Sequence, residues 1–175
     1  MQIRNMTKDE CVVLLERASL GRLACAKEGQ PYITPAFFAF EEDCLYSFAT
    51  QGKKIGWMRD SPLVCVEFDE IKSAQSWQSV VVTGRFEELS AVPENQMARL
   101  HAHMLLERAR PLWWEPAFVK KSNTDESERP LIGTYFRIWI EHMSGRQALL
   151  DSSLASGADA TEGNSKWWTR IWASN

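Results

Sequence analysis

Apolar and polar positions alternate along most of this chain with a period of two, and three short stretches break that rhythm with helical spacing. The first of these follows Thr7. Glu10, three residues on, completes a capping box, and Cys11, Leu14, Leu15 and Ala18 then recur on one helical face. After Ser19 the spacing becomes that of strands. LGRLACA, a turn over Lys27 to Gln30 built around Gly29, and PYITPAFFAF predict a hairpin, because β-branched and aromatic residues suit a pleated surface. A second acidic turn, Glu41 to Asp43, leads into CLYSFAT, where Leu45, Ser47 and Ala49 share one face and Tyr46, Phe48 and Thr50 the other.

KKIGWMRD predicts a brief helix stopped by Ser61 and Pro62, and LVCVEFD resumes the alternation. SWQSVVVTGRFEEL is a long strand whose Gly84 marks a bulge or the close passage of another backbone. Pro93 opens a helix to about Arg110, with Met97, Leu100, His101, Met104 and Leu105 stacked on one face. TYFRIWIEHM forms the last strand. Six strands joined by short turns, with few helices, predict a mainly β fold in which an antiparallel sheet closes into a small barrel. Residues 1–150 make one domain. The stretch from Asp151 to Lys166 lacks periodicity and is rich in Ser, Ala, Gly, Asp and Glu, so residues 151–175 are expected to form a flexible tail. Its end differs: Trp167, Trp168, Ile171 and Trp172 would share one helical face, as an anchor that docks on something.

The 175 residues carry a formal charge of -3, with 20 basic and 23 acidic side chains, which gives no field to gather nucleic acid. Cys11, Cys25, Cys44 and Cys65 form no CxxC pair and sit mostly among apolar neighbours, so they read as reduced core residues. No apolar run reaches the roughly 20 residues of a membrane helix, and MQIRNMTKDE has no signal-peptide core; a cytoplasmic protein is expected. Eight tryptophans suit either packing or a site for a flat ligand.

Most of the candidate chemistry lies in LYSFATQGKKIGWMRDSP. There a strand end meets a helix start, where free N–H groups and the helix dipole favour an anion. Gly52 lets the backbone approach, Lys53 and Lys54 supply positive charge, and Thr50 adds a hydroxyl. His101 reads as a core or interface histidine. His101 and His103 fall on different faces of their helix, so no zinc site is expected. His142 follows Glu141 in a strand and faces away from it. Glu67 and Asp69 read as a solvated strand face rather than a catalytic pair. No nucleophile elbow, P-loop or dinucleotide fingerprint is present.

The G-x-L-A strand, the G-Q-P-Y-x-x-P hairpin, the T-x-G-x-K turn and the V-x-V-x-G strand together resemble the pyridoxamine 5'-phosphate oxidase-like superfamily of flavin-binding split barrels, over roughly Glu10 to Arg146. The resemblance implies a six-stranded antiparallel split β-barrel with a few flanking helices. It also implies a homodimer with a flavin mononucleotide (FMN) in each of two clefts between subunits. Thr50, Lys53 and Lys54 would hold the phosphate, Ile33, Thr34 and Pro35 would lie along the isoalloxazine, and Trp77 and Ser79 would contribute to the same cleft. The arginine- and tryptophan-rich block that grips pyridoxal phosphate in the true oxidases is absent from TYFRIWIEHMSGR, which argues against vitamin B6 oxidation. The segment Trp113 to Ala117 resembles the nitroimidazole-resistance branch, although Lys53 stands where that branch commonly has histidine. The expected activity is flavin-dependent oxidoreduction of a small molecule or electron donor. The alternative is a carrier or sensor that binds flavin, haem or a deazaflavin without turnover.

Overall fold

The computed structural model describes residues 1–109 and 133–149. The predicted tail, its tryptophan-rich end and the Trp113 to Ala117 segment lie outside the described residues. In chain order the elements are β1 (Gln2–Asn5), α1 (Lys8–Arg17), β2 (Leu20–Lys27), β3 (Gln30–Glu41), β4 (Cys44–Thr50), α2 (Lys53–Asp60), β5 (Leu63–Ser73), β6 (Ser76–Leu89), a 3-10 turn at Pro93–Asn95, α3 (Gln96–Arg108) and β7 (Gly133–Leu149).

The capping box forms as its sequence requires. Thr7 Oγ1 accepts from the Glu10 N–H at 3.3 Å, and Glu10 Oε2 accepts from the Thr7 N–H at 2.8 Å. Glu28 and Gly29 both take positive φ, 51° and 77°, the geometry a two-residue hairpin turn needs between β2 and β3.

Antiparallel pairing runs β1-β7-β4-β3-β2-β5-β6, and β6 pairs again with β7, so six strands close a ring. This is the expected split β-barrel, with β1 added as a seventh strand along the end of β7. That short strand was not predicted, because its four residues are all exposed and carry no alternation. The barrel interior is filled by alternate residues of each strand, among them Leu23, Phe38, Leu45, Phe68, Val80 and Phe136, together with Leu14 of α1 and Met58 of α2. Phe38 meets Phe68 and Phe136 edge-on, with centroids 5.7 and 6.5 Å apart.

Gly84 meets both expectations: the β6–β7 register shifts beside it, and a Cβ there would run into the Trp139 carbonyl. The four cysteines are free thiols, three of them buried and Cys65 half-buried.

Of the apolar stripe read on α3, only Leu105 packs inward. Met97, Leu100 and Met104 are exposed, while Ala102 and Leu106 are buried, with Ala98 and Leu105 packed beside them. The alanines let the helix axis approach β4 closely, where Cys44 and Tyr46 wait on the outer barrel face, and the bulkier stripe turns outward. His101 follows that stripe. It is an exposed residue whose Nε2 lies 2.5 Å from Glu41 Oε2, and its ring meets Tyr46 edge-on. Among the described residues no helix is long and apolar enough to cross a membrane.

Candidate functional site

The β3–β4 ladder covers only Phe38–Ser47 to Glu41–Cys44. Continued in the same register it would set Pro35 opposite Thr50, but the strands have parted there. The β3 edge from Tyr32 to Pro35 pairs with β2 on one side and, among the described residues, has no strand on the other. The barrel is therefore split between β3 and β4. One lip carries Ile33, Thr34 and Pro35, and the other carries Thr50, Gly52, Lys53 and Lys54.

Helix α2 begins at this opening. Its N-cap, Gly52, contributes no side-chain hydrogen bond, and no acidic residue occupies the first turn, so the N-terminal amides and the positive dipole end are uncompensated within the described chain. Gly52 itself is extended, with φ 174°, and nothing lies within 4 Å of where its Cβ would be. No contact within the chain demands glycine at this position; what Gly52 leaves is open space.

The two lysines differ. Lys53 is exposed, with its ammonium 4.4 Å from the Trp57 ring centroid and 5.0 Å from that of Tyr32. Tyr32 and Trp57 are themselves packed edge-on at 5.9 Å. Lys54 is half-buried, and burial lowers its pKa, opposed only by the field of the Cys25 thiol. Neither lysine has a carboxylate partner among the described residues, whereas Lys27 pairs with Asp60 at 2.7 Å. Cys25, paired with Tyr32 on the inner face of β2, has its thiol pKa raised by burial against the opposing pull of Lys53 and Lys54.

Trp77 and Ser79 lie elsewhere in the chain. Along β2 and β3, Thr34 pairs with buried Leu23, while Ile33 and Pro35 pair with Ala24 and Arg22 on the outer face. That outer face continues across Glu67 and Asp69 of β5 to Ser79 and Trp77 of β6. Ile33, Pro35, Trp77 and Ser79 thus share a face of the sheet, with β2 and β5 between them.

Between them is a cluster that the sequence reading assigned to solvent. Arg22 Nη1 donates to Glu67 Oε2 at 2.9 Å and to Asp69 Oδ1, and Ser79 Oγ donates to Glu67 Oε1 at 2.9 Å. Glu67 and Asp69 are half-buried carboxylates shared by one guanidinium, not a freely solvated face. They border a cavity of about 420 Å³ with Arg22, Ile71, Trp77 and Ser79.

The histidines stay outside both groups. His103 Nδ1 lies 2.9 Å from the Tyr135 hydroxyl. His142 and Glu141, both exposed beside the bulge, line a separate cavity with Asp43 and Lys8. Among the described residues no group of side chains could hold a metal ion.

Comparison with known proteins follows the same outline. The chain is 39% identical over 148 residues to the protein RA0666 of Rhizobium meliloti (strain 1021), covering 85% of this chain and 97% of that one. It is 41% identical to an FAD-binding protein of Mesorhizobium loti solved by crystallography, with a TM-score of 0.69 over 85% of this chain and all of that one. An FAD-binding protein of Mycobacterium smegmatis, 18% identical, shares the fold with a TM-score of 0.55 over 82% of this chain and 98% of that one. A profile of pyridoxamine 5'-phosphate oxidase matches residues 7–147, and on that match the chain belongs to the pyridoxamine 5'-phosphate oxidase family.

Proposed function

We propose that the protein binds a flavin at the split between β3 and β4, with FMN as the nucleotide, and serves as a flavin-dependent oxidoreductase. The carrying observation is the uncapped start of α2, where two lysines without carboxylate partners among the described residues, one of them half-buried, stand beside a hydroxyl at a parted sheet edge. A dianionic phosphate would satisfy all of these groups at once. In this reading Thr50, Lys53, Lys54 and the amide of Gly52 hold the phosphate. The unpaired backbone edge of Ile33, Thr34 and Pro35 lies along the ring. Trp77 and Ser79 wall the same cleft when a second copy apposes its outer sheet face.

Bound flavin supplies hydride and electron transfer. The chain's own contribution is to bind the phosphate, orient the ring against the β3 edge and keep water from it with Tyr32 and Trp57. Lys54 holds its proton at Nζ and neutralises the phosphate rather than passing the proton on.

The M. loti relative, named as FAD-binding, favours FAD as a second reading of the nucleotide, since an adenylate could extend outward from the same phosphate. Release of the cofactor from purified protein by heat, followed by chromatography against both standards, decides between them. A colourless protein that takes up neither would overturn flavin binding. Lys53→Ala with Lys54→Ala is expected to weaken FMN at least tenfold, about 1.5–3 kcal/mol for loss of hydrogen bonds to a charged group. Reduced nicotinamide should bleach the loaded protein, with sustained oxidation once an acceptor is added. A loaded protein that stays inert would instead mark a carrier or sensor.

A further inference from the structure

We infer that Tyr32 and Trp57 are positioning residues: their rings form a seat that holds the Lys53 ammonium at the split with its charge intact, ready for a phosphate. The inference rests on the flavin reading above and adds to it the groups that place the lysine.

Lys53 and Lys54 adjoin in sequence but differ in freedom. Lys54 is half-buried, so packing restrains its side chain, whereas Lys53 is exposed at the first position of α2. A flexible lysine stem gives up rotamer freedom to grip a ligand, and this weakens binding unless the folded protein has already fixed the side chain.

Here aromatic faces from two elements fix it. Trp57 lies one turn along α2 from Lys53, the spacing that stacks two side chains on one helix face. Tyr32 comes from the start of the bare β3 edge, on the other lip of the split. The two rings meet at 66° with centroids 5.9 Å apart, and the ammonium lies 4.4 Å from the Trp57 centroid and 5.0 Å from that of Tyr32, within the range of a cation over an aromatic face. Both rings are half-buried and packed against the barrel core, which anchors the seat.

The chemistry of the seat decides what it is for. A carboxylate in its place, as Asp60 stands to Lys27 at 2.7 Å, would cancel the charge of the lysine and compete with an incoming anion. A ring face attracts a cation through its quadrupole and carries no net charge. Positive potential therefore remains for the ligand, and the ammonium N–H bonds turned away from the rings can donate to it.

Two measurements test the seat. In the ligand-free chain, ring currents should place the ε-methylene protons of Lys53 upfield of those of the other lysines in the NMR spectrum, and Trp57→Leu should return them to the common position. FMN affinity, followed by quenching of flavin fluorescence, is then compared in a cycle of Trp57→Leu, Lys53→Met and the double variant. Trp57→Leu should weaken FMN about three- to tenfold where Lys53 is kept and by less than about twofold in the Lys53→Met chain. Trp57→Phe keeps a ring face and should restore most of the affinity. Because Lys53 is exposed, Lys53→Met should keep the fold, so the cycle separates the seat from any loss of stability in Trp57→Leu. Equal losses with and without Lys53 would overturn the inference. An unshifted methylene in a chain that binds FMN would also overturn it and leave the flavin reading standing. A shifted methylene in a chain that takes up no flavin would support the seat and overturn the flavin reading instead.

Discussion

A Cβ on Gly84 would strike the carbonyl oxygen of Trp139 and crowd the Ile138 side chain, and neither neighbour can retreat, because both belong to a paired strand. Gly84→Ala should therefore destabilise the fold by about 1–3 kcal/mol, the usual cost of overpacking, read as a lower urea midpoint at unchanged slope. Lys54 carries a functional expectation of the same kind. Burial lowers its pKa in the free protein, so the ammonium needed for phosphate starts to be lost at a pH below the ordinary lysine range. Affinity for FMN should fall as pH rises from 7 to 10, followed by quenching of flavin fluorescence. Lys54→Arg keeps its charge throughout and should move the fall upward.

At the scale of elements, α1 is tied to β1 through Glu10. Its carboxylate takes both terminal nitrogens of Arg4, at 2.5 and 2.9 Å, while capping the helix through Thr7, and it is held at a pKa of about 2 chiefly by Arg4. A carboxylate depressed in the folded state stabilises fully above its unfolded value near 4.5, and that contribution disappears as pH falls toward 2. Glu10→Gln should thus lower Tm at pH 7 and converge with the parent at pH 2.

The strands of the ring were legible in the sequence from their β-branched and aromatic content and from the turns between them, with clean alternation in β2, β5 and β6 and runs of four buried residues in β3 and β4. The α3 face was not, since that helix carries two competing apolar stripes, and close approach selects the one with alanines. Candidate site residues split along the same line. The lysine turn is contiguous and visible as a motif. The rings beneath Lys53 come from Tyr32 and Trp57, joined only when α2 folds back against β2 and β3. The ion cluster of Arg22, Glu67 and Asp69 depends on strand register, which no local pattern records.

For the whole molecule, the outer face of β3, β2, β5 and β6 exposes Leu20, Ile33, Leu63 and Val81 together, more apolar surface than a solitary barrel needs to present. A homodimer apposing these faces is the expected assembly, with Leu63→Asp shifting sedimentation toward the monomer and reducing flavin retention in parallel. Monomeric wild-type protein at micromolar concentration would count against it.

One strand, β7, pairs with β4, β6 and β1, and it is the last described element of the chain. On the ribosome, β4 and β6 are exposed with bare edges until residues 133–149 emerge, and β1 waits for the same distant strand. Closure of this barrel is thus deferred until residues 133–149 have been made. A chain arrested before Gly133 would carry two open edges prone to joining those of its neighbours.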